Sequence, residues 1–473
     1  MTFATVIITP LELPEIRTTI AKFLDRSDLV RCSYVCKAWH TSFLPLVWSA
    51  ISIRSGERYP GVEAFNSHSQ LIRTLTYDVQ SWRAYESTHC RNVSTLRVYC
   101  NWDESPVITQ YDQLRKLSIV GGKRSRHDVY TCWKPTNSFR NLSSLDLKGV
   151  DIDLDSTEDF WDLCTGLESL SVRLTNIARF PDKSMSFERL EKLVLLPRSG
   201  HSFEQRLEFI TQCPNLVSLD WGRGTNGTPA SGDIFAAHLA KGTWPRLCEL
   251  RLPNFFSSDK QLGQIVHGMR QVKSLSVDGC TFGPLSLTAI RSHFSSLRQL
   301  TLQYTTYIGT GPSITPEVLV SCPQLEVLIA GEVTSEDILQ GPPWVCERTL
   351  RTLHMSIIIS PGEDMDHQQQ LVLERISRLH HLENFGLLYG ELNREATHIN
   401  LRLGKGLEYL ATLKKLRHLF LNSRSNYMTK DDVEWMLDNL KSLESVRGFL
   451  SLSDEYGSLA EMIRARGILH GYD

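Results

Sequence analysis

Apolar residues recur along most of this chain in a six-residue pattern, at the first, fourth and sixth positions, and most of them are leucine. Clear copies begin at Leu142, Leu247, Leu297 and Leu416. Successive copies start 21 to 34 residues apart, a spacing that indicates a repeat protein. The pattern predicts sixteen repeats, which begin at Trp48, Ile72, Val93, Leu114, Leu142, Leu167, Leu190, Leu216, Leu247, Val272, Leu297, Leu325, Leu350, Leu382, Leu416 and Leu443.

Each copy predicts a short β-strand followed by a helical segment. The fourth and sixth positions lie two residues apart, which puts both side chains on one face of a strand. Amphipathic segments between the copies predict helices at 203–210, 259–269, 285–294 and 431–440. Thr429 and Asp432 have the spacing of a capping box. Thr315, directly before Pro316, is predicted to cap a further helix.

A single repeat buries too few side chains to offset the entropy lost when its backbone is ordered, so neighbouring repeats must stack on one shared core. The pattern resembles that of leucine-rich-repeat proteins. The fullest match has Val272, Leu275 and Val277 followed by Cys280, at the position that usually bonds the turn backbone. The resemblance implies an α/β fold, a right-handed solenoid with parallel strands on its concave face and helices on its convex face.

The N-terminal residues carry a helical pattern instead. Pro14 suits the first turn of a helix, where its missing N–H costs no hydrogen bond. Ile16, Ile20 and Leu24 then follow at intervals of four residues, on one face of that helix. A unit of this size buries little surface by itself, so we expect its apolar surface to pack against a neighbouring domain or a partner.

Two more helices are predicted in the same segment. Asp25 or Ser27 is expected to cap the second, in which Leu29 and Val35 have helical spacing. The third is expected at 37–44, with Trp39 as an apolar anchor. The pattern therefore divides the chain into a three-helix module at 1–45 and a repeat domain at 46–473 that ends in a C-terminal cap.

The three-helix module resembles an F-box. The landmarks are Leu13-Pro14-Glu15-Ile16, Asp28-Leu29, Val35-Cys36-Lys37, Trp39 and Trp48. The family binds the Skp adaptor of cullin-based ubiquitin ligases, so the resemblance implies that this chain selects substrates and is not an enzyme. It assigns the adaptor interface, or the helix packing that shapes it, to Leu13, Pro14, Ile16, Leu29, Val35 and Trp39. The alternative is an ordinary helical cap on the repeat domain.

Composition bears on compartment and partners. The 473 residues carry a net charge of -2, which gives no general attraction to nucleic acid or to an anionic membrane. The eleven cysteines are scattered, without Cys-x-x-Cys pairs, and are expected to be reduced and mostly buried. The sequence has no signal-peptide pattern and no apolar run that would span a bilayer. We therefore expect a protein of the cytosol or nucleus that needs no cofactor.

Several short motifs suggest chemistry, but each has a simpler structural explanation. The basic run at 123–127 is expected to be a solvated loop tip. Cys213 and Cys322, each followed by proline, are expected to lie in the core at helix ends. The pair His380-His381 has no thiol or carboxylate at zinc-ligand spacing. The sequence also lacks a phosphate-binding glycine loop, an activated nucleophile and a spaced carboxylate pair, so neither a metal site nor catalysis is predicted.

The residue between the two inward strand positions points away from the core, and successive repeats place these residues in a row. Charges of both signs are mixed along this row, which favours a protein partner over a polyanion. The row comprises Asp146, Ser171, Val194, Asp220, Arg251, Ser276, Thr301, Ile329, His354, Gly386, Phe420 and Arg447. From the row and the positions that follow it, the candidate substrate-binding residues are Arg173, Arg251, Asp278, Gln303 and His354.

Together the two parts resemble F-box/leucine-rich-repeat substrate receptors of the divergent kind found in fungi. The implied function is substrate recognition in a Skp–cullin–F-box ubiquitin ligase, with the Skp adaptor on the F-box and a protein substrate on the repeats. Two alternatives stay open. One is an adaptor-bound scaffold that works outside degradation, and the other is a leucine-rich-repeat inhibitor or regulator with no role in ubiquitin transfer.

Overall fold

A computed structural model describes residues 11, 13–100, 111–121, 139–196, 201–222, 231–253, 257–277, 279–302, 306–307, 314–360, 362, 364–388, 397–421, 427–448, 450 and 456–471. The chain forms two units, the N-terminal unit Met1–Leu216 and the C-terminal unit Val217–Asp473. Each unit is a stack of repeats in which short parallel strands alternate with helices and turns.

The N-terminal unit opens with three helices, and parallel strands follow. Its helices are α1 Pro14–Ala21, α2 Arg26–Ser33, α3 Lys37–Ser49, α4 Val62–His68, α5 Val79–Trp82, α6 Leu154–Cys164 and α7 Phe203–Thr211. Its strands are β1 Ala50–Ile53, β2 Thr74–Asp78, β3 Thr95–Cys100, β4 Lys116–Gly121, β5 Ser144–Lys148, β6 Ser169–Arg173 and β7 Lys192–Leu196. Each strand pairs in parallel with the next one along the chain.

The C-terminal unit has longer helices between its strands. These helices are α8 Ser231–Ala240, α9 Asp259–Gly268, α10 Pro284–Arg291, α11 Ile314–Ser321, α12 Ser335–Gln340, α13 Met365–Ser377, α14 Lys430–Asn439 and α15 Tyr456–Ala465. The strands are β8 Ser218–Trp221, β9 Glu249–Leu252, β10 Ser274–Val277, β11 Thr281–Phe282, β12 Gln299–Thr301, β13 Thr306–Tyr307, β14 Val327–Thr334, β15 Thr352–Ile359, β16 Asn384–Leu387, β17 Thr397–His398, β18 His418–Leu421, β19 Ser445–Gly448 and β20 Leu469–Gly471.

The principal sheet of this unit is parallel and runs β8, β9, β10, β12, β14, β15, β16, β18, β19, β20. The short β17 joins β15 in antiparallel orientation, and β11 pairs with β13 outside this sheet. Neither pairing follows from the repeat pattern, because β11, β13 and β17 all lie between copies of it.

Register explains the arrangement of the strands. Each predicted repeat start is followed, two residues later, by the first residue of a strand. Equivalent leucines lie side by side, so that Leu275 neighbours Leu250 on one strand and Leu300 on the other, and all three are buried. The predicted parallel-strand α/β fold is therefore confirmed. β20 has no leucine pattern and was not predicted.

The four predicted helices are confirmed as α7, α9, α10 and α14, with ends that differ by at most about three residues, an ordinary uncertainty for helix termini. The Thr429 capping box is present, because the Thr429 N–H donates to Asp432 Oδ2 at 2.7 Å and the Asp432 N–H donates to Thr429 Oγ1. The predicted cap at Thr315 is wrong. α11 begins at Ile314, and Thr315 is buried within its first turn.

The three N-terminal helices also differ in detail from the prediction. Asp25 caps α2, since its Oδ1 accepts from the Asp28 N–H at 2.8 Å, and Ser27 lies inside the helix. α2 ends at Ser33, which leaves Val35 in the turn before α3. α3 continues through Pro45 to Ser49, so the predicted boundary at residue 45 falls within a helix. Burial of apolar side chains beyond the proline offsets its missing hydrogen bond.

Replacing Leu300 with aspartate should unfold the repeats around β12, because a carboxylate there would be buried without a partner. Thr301→Asp is the matched control. It changes the next residue of the same strand, whose side chain lies at the partly exposed surface, and should cost no more than about 1 kcal/mol. Hydrogen exchange read by mass spectrometry should show lost protection near 270–330 for the first variant only. Equal protection in both would contradict a shared stacked core.

Candidate protein-interaction surfaces

The first candidate surface is formed by α1, α2 and the turns after them. Both helices pack on α3, whose Phe43 is fully buried. A ring nitrogen of His40 on α3 lies 3.2 Å from the carbonyl oxygen of Ser33, the last residue of α2. α1 begins at Pro14, and the Asp25 carboxylate caps the N-terminus of α2. Local caps and the packing on α3 therefore hold two short helices in fixed positions.

Large apolar side chains remain exposed on this helical module. Of the eighteen exposed large apolar residues in the described part of the chain, six lie between residues 11 and 35. That is a third of them in about a twentieth of the sequence. They are Leu11, Leu13, Ile16, Phe23, Tyr34 and Val35. A concentration of this kind on a soluble surface is typical of a binding site for another protein.

The structure separates the predicted adaptor residues into two groups. Leu13 at 42%, Ile16 at 38% and Val35 at 63% are exposed, and Pro14 is exposed beside them. Leu29 and Trp39 are half-buried. The Trp39 ring lies 5.3 Å from that of Phe43, which connects the surface to the core of the module.

Two exposed aromatic residues were not predicted. Phe23 is 84% exposed in the turn after α1, and Tyr34 is 82% exposed in the turn after α2. A search for helical periodicity does not find residues that follow a helix end. Their residue type was the available signal, since aromatic residues are enriched in protein interfaces.

The second candidate surface is the strand face, which we define as the strand side chains that point away from the core. In the N-terminal unit, Ser118 Oγ donates to Asp146 Oδ2 at 3.1 Å across neighbouring strands. The guanidinium groups of Arg54 and Arg97 lie 4.2 and 5.1 Å from the centroid of the Tyr99 ring. The predicted Arg173 is exposed at the end of β6. This face is polar, with cation–π contacts around a single tyrosine.

In the C-terminal unit the strand face contains an aromatic pair. The rings of His354 on β15 and Phe420 on β18 are nearly parallel, at 8°, with their centroids 6.0 Å apart. Gly386 on β16 lies between them in the register. A Cβ at Gly386 would lie 2.7 Å from carbons of the imidazole, so only glycine leaves room for this ring. Burial lowers the pKa of His354 below its ordinary value.

The predicted substrate-binding residues do not converge on one point. Arg251 and His354 share one row, but β10, β12 and β14 separate their strands, a distance of about 19 Å at the usual strand spacing. Arg251 lies 3.8 Å from Asp220, so part of its charge is already compensated. Asp278 and Gln303 lie outside the described residues. An extended partner that contacts several strands would suit this spacing.

The other motifs have structural roles wherever the chain is described. Cys213 and Cys322 are fully buried just after α7 and α11, as predicted, and burial raises the pKa of the Cys322 thiol to about 12. His381 Nδ1 lies 3.0 Å from the Lys415 ammonium. No cluster of three or more potential metal ligands occurs among the described residues, and none of their helices is long and apolar enough to cross a membrane. The basic run at 123–127 lies outside them.

Residues 14–54 match the F-box-like family model, a range that covers α1, α2, α3 and β1. The chain thus carries an F-box-like domain followed by leucine-rich-repeat units. No curated protein sequence matches the chain significantly.

Solved leucine-rich-repeat structures are similar to the chain at low identity. The protein LIC12759 of Leptospira interrogans is 16% identical, with a TM-score of 0.40, over 88% of this chain and 99% of that one. An internalin of Listeria monocytogenes is 12% identical, with a TM-score of 0.28, over 99% and 98% of the two chains. Because these scores are low, the repeat assignment rests on the strand register of the chain itself.

Acidification should destabilise the C-terminal unit partly through His354. Because its folded-state pKa is lowered, the stability that its neutral form supplies is complete above the unfolded value of about 6.5 and is lost as pH falls through the folded value. His354→Phe should retain the stacking and reduce the loss of thermal stability between about pH 7 and pH 5. Calorimetry should show this reduced slope, while the exposed control His380→Phe should follow the wild type. Parallel curves for all three proteins would contradict the prediction.

Proposed function

We propose that this protein is a substrate-recognition subunit of a Skp–cullin–F-box ubiquitin ligase. In this proposal the helical module binds the Skp adaptor, the strand faces bind a protein substrate, and the chain itself catalyses nothing. The main support is that the family match and the exposed apolar surface fall in the same segment. Residues 14–54 match the F-box-like family, and the same segment holds most of the six exposed apolar side chains at the N-terminus.

The exposed side chains are a physical reason for a partner. Burying a side chain such as Val35 or Phe23 is worth roughly 1.5 to 3 kcal/mol, and the module leaves this free energy unused. Exposed charged residues occur in the same segment, among them a pair in which Arg31 lies 3.1 Å from Asp28. An apolar centre with a polar rim is the usual composition of a protein interface.

The covalent connection between the module and the repeats supports a receptor role. α3 ends at Ser49 and β1 begins at Ala50, so no flexible linker separates the F-box-like helices from the first strand. Trp48 is buried at this junction, and its ring lies 4.5 Å from that of His68. A rigid connection would hold a substrate on the nearby strands at a defined position relative to the adaptor. Proximity and orientation of this kind are a large part of catalysis by an assembly.

The thiols support an intracellular site of action. All ten cysteines in the described part of the chain are free, and eight of them are buried. A protein that folds with this many unpaired thiols suits the reducing environment of the cytosol or nucleus. We therefore propose that the receptor acts in one or both of these compartments.

Adaptor binding should depend on the exposed residues of the turn after α2. Tyr34→Ala combined with Val35→Ala removes two side chains that make little contact within the fold, so the module should stay folded. Affinity for a recombinant Skp adaptor should fall by about 2 to 4 kcal/mol, or roughly thirty- to a thousandfold. Leu154→Ala, which truncates a similarly exposed leucine on α6, should bind like the wild type. Undiminished binding by the double variant in calorimetric titration would count against the F-box role.

The fate of bound proteins separates a ligase receptor from a scaffold. We expect affinity purification under proteasome inhibition to recover ubiquitinated proteins with the wild-type chain. The Tyr34→Ala, Val35→Ala variant should recover the same proteins without ubiquitin, because its strand faces are unchanged. Depleting the wild-type chain should lengthen their half-lives. Unchanged half-lives with intact adaptor binding would favour the scaffold, and a complete lack of adaptor binding would favour the inhibitor or regulator.

A further inference from the structure

One section of the strand face in the C-terminal unit carries no charged side chain at neutral pH. The outward side chains at the third positions of β12, β14, β15 and β16 are Thr301, Ile329, His354 and Gly386, and Phe420 holds the same position on β18. The first positions of β12, β14, β15 and β16 hold glutamine, valine, threonine and asparagine. We call the five residues at the third positions the neutral row.

Charged residues lie on both sides of the neutral row. On one side, the third positions of β8 and β9 hold Asp220 and Arg251, and on the other side β19 holds Arg447. Glu332 of β14 lies beyond the register shift in that strand. A charged partner segment would lose its hydration on the neutral row without gaining an ion pair, whereas an uncharged segment would not. The row therefore selects against charge.

The imidazole of His354 offers hydrogen-bonding groups that the described part of the chain leaves unused. Its polar neighbours on the strand face are already bonded to each other. Asn384 Nδ2 donates to Thr352 Oγ1 at 3.0 Å, and His418 Nδ1 lies 2.8 Å from Ser445 Oγ. The His354 ring makes no hydrogen bond to any described residue, although the residue is partly exposed. Burial lowers the pKa of His354, so at neutral pH the ring presents one donor and one acceptor nitrogen.

Gly386 fixes the position of this ring. It lies between His354 and Phe420 in the register, and a Cβ at Gly386 would lie 2.7 Å from imidazole carbons. Glycine inside a strand often marks a place where another group approaches the backbone closely. Here that group is the imidazole, which lies over β16 and is parallel to the Phe420 ring. The unused nitrogens are therefore held next to an aromatic surface.

We propose that the neutral row binds an extended, uncharged segment of a partner protein, whose large apolar side chain packs against Phe420 and whose backbone bonds the His354 imidazole. A peptide unit suits this ring because it supplies both an N–H and a carbonyl oxygen without a charge. The row crosses five strands, about 19 Å at the usual spacing, which an extended chain covers with about six residues. The inference rests on the proposed role of the strand faces in binding proteins, and it specifies the class of segment that one of them binds.

The absence of cations favours a protein over a nucleic acid. Single-stranded nucleic acid stacks its bases on aromatic rings such as Phe420, but most of its affinity comes from cations that contact its phosphates. The neutral row supplies no cation. An aromatic residue that stays partly exposed on an uncharged surface is instead typical of the residues that anchor a protein interface.

Two substitutions separate the two proposed contacts. Phe420→Ala removes the aromatic surface, whereas His354→Phe keeps a ring and removes both nitrogens. Tyr427→Ala, which truncates an exposed aromatic residue before α14, is the matched control. The full-length chains are presented, without adaptor, with immobilised peptides of about eight residues. One library has random uncharged flanks around leucine, the second has the same flanks around alanine, and the third has aspartate and lysine around leucine.

The wild type and Tyr427→Ala should retain the uncharged leucine library about tenfold better than the other two libraries. Phe420→Ala should lose the preference for leucine over alanine. His354→Phe should keep this preference but bind the selected peptides about fivefold more weakly, because one hydrogen bond is lost. Replacing each peptide N–H of a selected peptide in turn by an ester oxygen should identify one position that weakens binding to the wild type but not to His354→Phe.

Several results would overturn the proposal. They are equal retention of the charged library, an unaffected Phe420→Ala variant, a Tyr427→Ala variant as weak as Phe420→Ala, and tighter binding of an oligouridine than of any peptide. If Phe420→Ala does not fold, the ester series decides, and an equal response of the wild type and His354→Phe to every ester would also overturn the proposal. Adaptor affinity, measured on the same variants, should not change, so failure of the ligase role would be seen separately.

Discussion

The structure depends on the side-by-side alignment of inward leucines on neighbouring parallel strands. Leu300 on β12 is fully buried between Leu275 and Leu328 of the strands on either side. No repeat has a core of its own, so each strand must keep the register of the one before it. The same constraint fixes every outward position, since side chains alternate along a strand. Rows of functional side chains are a consequence of core packing.

Fixed positions allow the surface to vary without changing the fold. The residues that directly precede the strands illustrate this, because backbone hydrogen bonds link each of them to its counterpart in the next repeat. Arginine alternates with glutamate at Arg351 and Glu383, where the charges compensate each other, but serine separates Arg73 from Arg115. The backbone hydrogen bonds are the same in both places, so only the net charge differs. A repeat protein can thus change the charge of its surface by substitutions that leave its core untouched.

The helical module is stabilised differently from the repeats. Its helices are short, are started by Pro14 and by the Asp25 cap, and leave large apolar groups such as Tyr34 exposed. Helices of this length gain most of their stability from packing, here on α3. α3 in turn passes directly into β1, so the exposed surface and the first strands form one folded piece. An interaction surface that is rigidly attached to a repeat stack suits a receptor.

The sequence by itself determined where the strands begin, because the leucine spacing admits one inward face. That the strands are parallel was implied by the resemblance of the repeats to leucine-rich repeats. The sequence also identified the helical module, although not that α2 stops before Val35. Only the tertiary structure decided which outward residues meet. His354 stacks on Phe420 because Gly386 lies between their strands. Periodicity describes one repeat at a time, whereas this contact depends on which side chains neighbouring repeats place at the same position.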